Sequence, residues 1–510
     1  MAGMLASAHS ATLVGLEAFP VRCEVDAGRG VPSFELVGLA EAAVRESRVR
    51  VKSALAQIGV DLSEYRIVVN LAPADLRKNG SGFDLAIAAA VLGALGRVEK
   101  ESLAAAMFIG ELSLSGGVQG LRGVLPHVMG AKARGFPRIV VPRVSEAEAA
   151  CVSGIDVLTC EGLAELLEHL AGRAPLPRAK PGAPESPPAY DDLAELKGQS
   201  AARRALEICA AGGHNLLMIG PPGAGKTMLA RRLPGILPPL SSDEALEVMT
   251  VHSVAGSLRR GTGRLFARPF RAPHHTLSEA ALVGGSDPPR PGEVSLAHHG
   301  VLFLDELAEF RRSVLEALRQ PLEDGVVTVS RAFAKTTFHA RPLLVGAMNP
   351  CPCGFLGDAR RCGCTAERVR TYRSRISGPL LDRIDVHVVL PPVEVGALVA
   401  RGRGEASEAV RARVIEARER QLARAPHRRA TNAALSPADL ERVATPDPEG
   451  RALLERAASR HMLSARAFGK VMRVARTIAD LDGSLEVRGP HVAEAITLRA
   501  FDRGGTALAA

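Results

Sequence analysis

The octad GPPGAGKT, Gly220 to Thr227, constrains the fold more than any other stretch of the chain. It satisfies G-x-x-x-x-G-K-S/T at every fixed position. The run before it, NLLMIG, is short and apolar, as expected of a parallel strand buried on both faces. The run after it, TMLARRL, favours a helix that Pro234 and Gly235 would close. Strand, glycine-rich loop and helix N-terminus in that order make an anion site, because backbone N–H groups and the positive end of the helix dipole converge there. Gly220, Pro221, Pro222, Gly223, Ala224, Gly225, Lys226 and Thr227 are therefore expected to cradle the phosphates of ATP. Lys226 would reach the β- and γ-phosphates, and Thr227 would hold Mg2+. A chance Gly-rich turn would explain the octad but neither flank.

Two later runs supply what hydrolysis needs. GVLFLDE, Gly300 to Glu306, is an apolar strand ending in two carboxylates. Asp305 would coordinate Mg2+, directly or through water, and Glu306 would orient and deprotonate the attacking water. A buried strand capped by solvated acids is the plain alternative, and the upstream phosphate loop weighs against it. PLLVGAMNP, Pro342 to Pro350, is another buried strand, and it places Asn349 where an amide could meet the γ-phosphate and the water. Three parallel strands ending in GKT, DE and N gather the chemistry at one carboxyl edge, as open α/β sheets do. Between the last two, Val326–Ser330 and Thr336–His339 read as a hairpin with Arg331 and Lys335 near its tip.

The chain has 510 residues, enough for roughly two to four domains. Aromatics are only 3% and Trp is absent, so the cores must be aliphatic. A net charge of +9 favours a polyanionic partner. No signal-like N-terminus and no membrane-length apolar run is present, so a soluble, cytoplasmic protein without membrane attachment is expected. Eight Cys in so long a chain do not suggest a disulfide scaffold. Four of them, Cys351, Cys353, Cys362 and Cys364, form C-x-C-x8-C-x-C. Four soft ligands suit tetrahedral Zn2+, although gaps of one are tighter than the usual spacing. Free thiols or a labile disulfide would be the bland reading. The pairs His274–His275 and His298–His299 make poor bidentate metal sites, because adjacent residues point to different faces. A hydrogen-bonding role near the nucleotide or the pore is expected of them.

Composition divides the chain. Residues 1–172 alternate strand-like and helix-like patterns, forming an α+β or α/β domain. Residues 173–190 are rich in Pro and Ala and read as a semi-extended linker. Residues 191–392 hold the phosphate loop and its partner strands. Residues 393–510 are helical and Arg-rich. Ser436 is a candidate N-cap there. On the helix of LSARAFGKVMRVARTIADLDG the apolar periodicity leaves Arg473 and Arg476 on the other side.

Two resemblances add to this. The runs 70–85, NLAPADLRKNGSGFDL, and 110–126, GELSLSGGVQGLRGVLP, make the first domain similar to the Lon-protease-type (S5-like) domain. Active members use a Ser-Lys dyad. Here Gly82 stands at the Ser position and Leu125 at the Lys position, with Ser81 and Lys132 the nearest substitutes. A non-catalytic scaffold or binding module is expected. Across nearly the whole chain, the runs AGGHNLLMIGPPGAGKTMLA, RPFRAPHHTLSEAALVGG, PGEVSLAHHGVLFLDELAEF, MNPCPCG and RISGPLLDRIDVHV resemble the Mg-chelatase-like AAA+ ATPases, most closely the YifB/ComM proteins.

The resemblance implies an α/β AAA+ core with a helical lid, preceded by the Lon-like domain. It implies a homo-oligomer, a hexameric ring with ATP sites between subunits, and Asn349 as sensor 1. It implies an arginine finger in trans, for which Arg383 fits best and Arg375 next, and a lid sensor 2 at Arg466. It also implies a pore-facing insert. Arg259, Arg260, Arg264, Arg268 and Arg271, with Arg331 and Lys335 of the hairpin, would there meet nucleic-acid phosphates. The activity implied is DNA helicase or branch migration on single-stranded or branched DNA during recombination of incoming strands. A chelatase-type or protein-remodelling motor acting on a partner protein is the alternative.

Overall fold

In–out alternation builds the first sheet. Along Glu17–Arg29, Val21, Cys23, Val25 and Ala27 are buried while Arg22 and Asp26 are exposed. The computed structural model describes residues 4–39, 41–183, 190–259, 261, 263–286, 288–331, 334–392, 404–424, 431–461 and 464–499. In it the seven strands run in the order Ser33–Val37, Tyr65–Ala72, Glu17–Arg29, Met4–Val14, Ala106–Phe108, Arg138–Pro142, Asp156–Cys160. Glu17–Arg29 is antiparallel to both of its neighbours, and the other pairings are parallel. Beyond Asp84, which pairs with Arg50, helix Asp84–Ala94 is apolar all round and correspondingly buried on every side.

The head contains no Ser-Lys pair among the described residues. Ser81 donates its hydroxyl to the Glu111 carboxylate. The end of the Lys132 side chain lies beside Gly154. Leu125 is fully buried.

The described part of the Pro-rich stretch, residues 173–183, is fastened to the first sheet. Thr159 N–H donates to Pro177 O at 2.9 Å and Ala179 N–H to Val157 O at 2.8 Å, so the stretch adds a rung to the edge strand Asp156–Cys160. Further on, Gly263 N–H of the second domain donates to Ala183 O at 3.1 Å.

The second sheet has five parallel strands in the order Phe270–Arg271, Val301–Leu304, Leu343–Met348, Leu216–Ile219, Val386–Val389. The strand before the phosphate loop, Leu216–Ile219, is thus internal, fourth of the five. Its alternate residues enter different cores, Leu216 and Met218 on one face and Leu217 and Ile219 on the other. A parallel sheet covered on both faces needs such near-continuous apolar strands. Asn215 stitches the amino-terminal edge. Its N–H donates to Asp385 Oδ2 (2.9 Å), its amide donates to Arg383 O (3.0 Å), and its Oδ1 accepts from Leu344 N–H (2.9 Å). The hairpin comprises Val326–Arg331 and Ala334–His339.

The described C-terminal helices are Ser407–Arg424, Pro437–Val443, Pro448–His461, Ala465–Leu481 and Gly489–Thr497. Ser436 caps the second of these, accepting from Asp439 N–H at 3.2 Å. Buried Asp480 organises the group. It accepts from Arg424 at 2.5 and 2.6 Å, from Arg476 at 2.9 and 3.2 Å, and from Asn432 at 2.8 Å. The periodicity assigned Arg476 to the polar side, yet it is 1% exposed, because Asp480 one turn later supplies its counter-charge. These helices fasten to the amino-terminal edge of the sheet, through Lys470 Nζ to Asp385 Oδ1 at 2.7 Å and His214 Nε2 with Thr477 Oγ1 at 2.8 Å. No described helix is long and apolar enough to cross a membrane.

Candidate active site

The phosphate loop leaves strand Leu216–Ile219 and turns through Gly223 and Gly225 at φ of 78° and 85°, a region that side chains disfavour. Helix Lys226–Ile236 starts there. The Lys226 ammonium spends its three donors on Gly220 O (2.6 Å), Pro221 O (3.0 Å) and Asn349 Oδ1 (3.1 Å). Burial lowers its pKa, and Asp305 and Glu306 oppose that. Thr227 donates its hydroxyl to Asp305 Oδ2 at 2.7 Å. Strands far apart in sequence thus bring Lys226, Thr227, Asp305 and Asn349 to one carboxyl edge. The hydroxyl and carboxylate fit a hard divalent cation such as Mg2+, which keeps several waters and takes one or two protein oxygens.

Glu306 follows Asp305 in the left-handed region, at φ 51°. Its N–H donates to Asp305 Oδ1 at 2.9 Å. Its half-exposed carboxylate sits 3.3 Å from His275 Nδ1. The His275 ring lies 4.1 Å from that of His274 and edge-on to Phe310. Sequence reasoning missed this specific partner. The available signal was the position of the His pair, just past the carboxyl end of Phe270–Arg271.

The second His pair meets Glu247. His298 Nε2 and His299 Nε2 each lie 2.9 Å from Glu247 Oε2. Three such groups could hold a metal ion, but the tautomer opposes it. Arg341 N–H donates to His298 Nδ1 at 3.1 Å, so in the neutral ring Nε2 carries the proton. That nitrogen is a donor to Glu247 and has no lone pair for a metal. Burial pushes His298 down to about 4, and the two imidazole contacts hold Glu247 below the usual carboxylate range.

The basic candidates separate. Arg264 donates to Ser242 Oγ at 3.0 Å. Arg268 donates to Pro238 O, His299 O and Glu244. Arg271 grips Glu293 with two nitrogens, at 2.6 and 2.7 Å. Arg260 and the Arg331 side chain lie outside the described residues. Arg259 and Lys335 line a cavity of about 1360 Å3 between head and second domain, with Arg77 and Arg122 of the head and Arg290. Asp75, Glu111 and Glu148 share its wall, and burial pushes Glu148 up to about 7.

Arg383 is 14% exposed and held within its own chain by Arg319 O, Pro379 O and Glu323. Arg375 is half exposed, with Ala308 O and Glu309 as acceptors. Arg466 is exposed in the first turn of helix Ala465–Leu481. One turn on, Lys470 is anchored at the edge opposite the phosphate loop.

The four cysteines of the C-x-C pairs converge. Every Sγ lies within 4.8 Å of the others. Cys351–Cys353, Cys353–Cys362 and Cys351–Cys362 are separated by 3.3, 3.6 and 3.9 Å. A tetrahedron with Zn–S of about 2.3 Å has edges of about 3.8 Å, so the donor set fits a soft divalent ion.

The chain is similar to known proteins along most of its length. Family models described as magnesium chelatase, subunit ChlI, match residues 192–398 and 23–145, and its C-terminal model matches 404–499. Competence protein ComM of Haemophilus influenzae is 43% identical over 507 residues, 98% of each chain. YifB of Escherichia coli is 42% identical over 503 residues, also 98% of each. Lon protease 2 of Bacillus subtilis is 24% identical over 153 residues, 29% of this chain and 27% of its own. With full-length relatives at this identity, a parallel phosphate-loop sheet and a Lon-like head, the chain belongs to the YifB/ComM family of Mg-chelatase-like AAA+ ATPases.

Proposed function

We propose that the protein is an ATP-driven DNA motor, a helicase or branch-migration factor acting as a hexameric ring on single-stranded or branched DNA during recombination of incoming strands. One observation supports it most. Arg259 and Lys335 come from separate segments of the ATPase, yet they share a cavity wall with Arg77, Arg122 and Arg290. Converging cations suit phosphates more than any neutral partner. The family relative named as a competence protein points the same way.

In this reading ATP and Mg2+ occupy the site at Lys226, Thr227 and Asp305. Lys226 exchanges its loop carbonyls for phosphate oxygens. Glu306 takes the proton of the attacking water, and Asn349 positions that water. Arg375, being half exposed, reaches the neighbouring subunit's phosphate, whereas Arg383 would first have to leave three acceptors. Arg466, on a helix fastened at the opposite sheet edge, also serves a neighbour's nucleotide.

The acids in the same cavity favour one second reading, remodelling of a partner protein. ATPase assays with and without single-stranded and branched DNA separate the two, run at several salt concentrations because phosphate contacts weaken steeply with salt. Stimulation and strand or branch movement are expected. Should neither DNA bind or raise turnover, the DNA reading falls and the protein-partner reading stands.

A further inference from the structure

We propose that the four-cysteine loop binds one soft divalent ion of the Zn2+ class, and that this ion sets the geometry of the ATP site without touching the nucleotide. The coupling rests on the reading of the phosphate loop as an ATP site.

The loop is built for a metal beyond its four sulfurs. Backbone N–H groups point at three of them, Gly354 at Cys351, Phe355 at Cys353 and Cys364 at Cys362. Such donors stabilise bound thiolates and orient them, as outer partners of metal ligands do. Cys351 is buried and the other three are partly exposed, which leaves an entry path. Thiolates select a soft ion, so the site does not compete for Mg2+, which prefers oxygen.

The loop also touches the nucleotide machinery at two points. It begins directly after Asn349, and the helix that leaves it, Ala366–Arg373, returns the Tyr372 hydroxyl to the Asn349 backbone N–H. Gly354 turns at φ 86° against the phosphate loop. A Cβ there would lie 2.6 Å from Pro222 Cδ and 3.8 Å from Asn349 Cγ. The backbone between the two C-x-C pairs therefore packs on both Pro222 and Asn349. A bound ion fixes that backbone; four protonated thiols offer only weak contacts. Losing the ion releases the surface that seats the phosphate loop and the sensor amide together.

The test uses the full-length protein, purified without chelators. Elemental analysis should find about one zinc per chain, and binding of a fluorescent ADP analogue reports the nucleotide site. Cys362→Ser with Cys364→Ser should lose zinc and weaken the analogue at least tenfold. Gly354→Ala should weaken the analogue, because its Cβ strikes Pro222, and its zinc content, measured alongside, separates that clash from loss of the ion. Should the double variant fail to fold, chelator-stripped wild type takes its place, with added Zn2+ restoring affinity. Wild type that neither carries zinc nor takes up Zn2+ or Cd2+ overturns the metal site. Zinc loss with unchanged affinity overturns the coupling and leaves the metal site standing. Zinc-loaded protein that binds neither the analogue nor ATP overturns the coupling together with the ATP reading, and the metal count still stands.

Discussion

The Lys226 ammonium and the Asn349 amide oxygen are 123 residues apart in the chain and 3.1 Å apart in the fold. The contact links the phosphate loop to the end of the neighbouring parallel strand. It also compensates the half-buried lysine charge, since a buried cation without acceptors is costly. Lys226→Ala should therefore fold normally and bind ATP about 10- to 100-fold more weakly, the loss of one or two charge-assisted hydrogen bonds. Isothermal titration with ATP and Mg2+ reads this directly.

Glu306→Gln removes the base and keeps the shape. Turnover should drop about 10²- to 10⁴-fold with ATP affinity nearly unchanged. Single-turnover measurements check it; persistent hydrolysis would assign the base elsewhere.

The two arginine candidates should part in kinetics and stability. Arg375→Ala is expected to lower turnover about 10³-fold or more with nucleotide binding intact, as loss of an arginine finger does. Arg383→Ala should instead lower the melting temperature, because Glu323 and two backbone carbonyls lose their donor. The opposite pattern would return the finger to Arg383.

Asp480 is fully buried and serves two arginines and an asparagine. Asp480→Ala leaves buried Arg476, and Arg424 beside it, without their counter-charge and should destabilise the C-terminal helices by about 3–5 kcal/mol. Chemical denaturation followed by helical signal measures it, and a change below about 1 kcal/mol would contradict the hub assignment.

Two buried histidines should weaken the fold in mild acid, an effect that Glu148, raised to about 7 by burial, partly offsets. Burial pushes both His214 and His298 down to about 4. Unfolded, they take up protons near pH 6.5, protons that the folded chain refuses until about pH 4. The stability from keeping them neutral is present above about pH 6.5 and is lost as pH falls toward 4, of order 3 kcal/mol for each. His214→Gln should flatten the slope of unfolding free energy against pH in that window.

How far the residues disclosed this arrangement depends on range. GPPGAGKT, Asp305, Glu306 and Asn349 were readable because each motif carries its own strand and terminus. Zinc-type spacing was readable because both C-x-C pairs lie in one loop. Contacts made across the fold were not. Nothing near Arg271 in sequence announces Glu293 as its partner, and nothing near Glu306 announces His275. Apolar periodicity puts Arg476 on a polar face, and what permits its burial is Asp480 together with the carbonyls of Val443, Ser484 and Leu485, which accept from it. Strand order was equally hidden, since apolar strands of similar composition can pair in many orders.

The fastened Pro-rich stretch has a practical consequence for dividing this protein. Asp156–Cys160 is the outermost strand of the head sheet, and Pro177 and Ala179 cover its open side. A head fragment ended where the composition changes, at residue 172, would present bare N–H and C=O groups to other molecules and should self-associate. A fragment carried through residue 183 keeps that side occupied and should stay monodisperse.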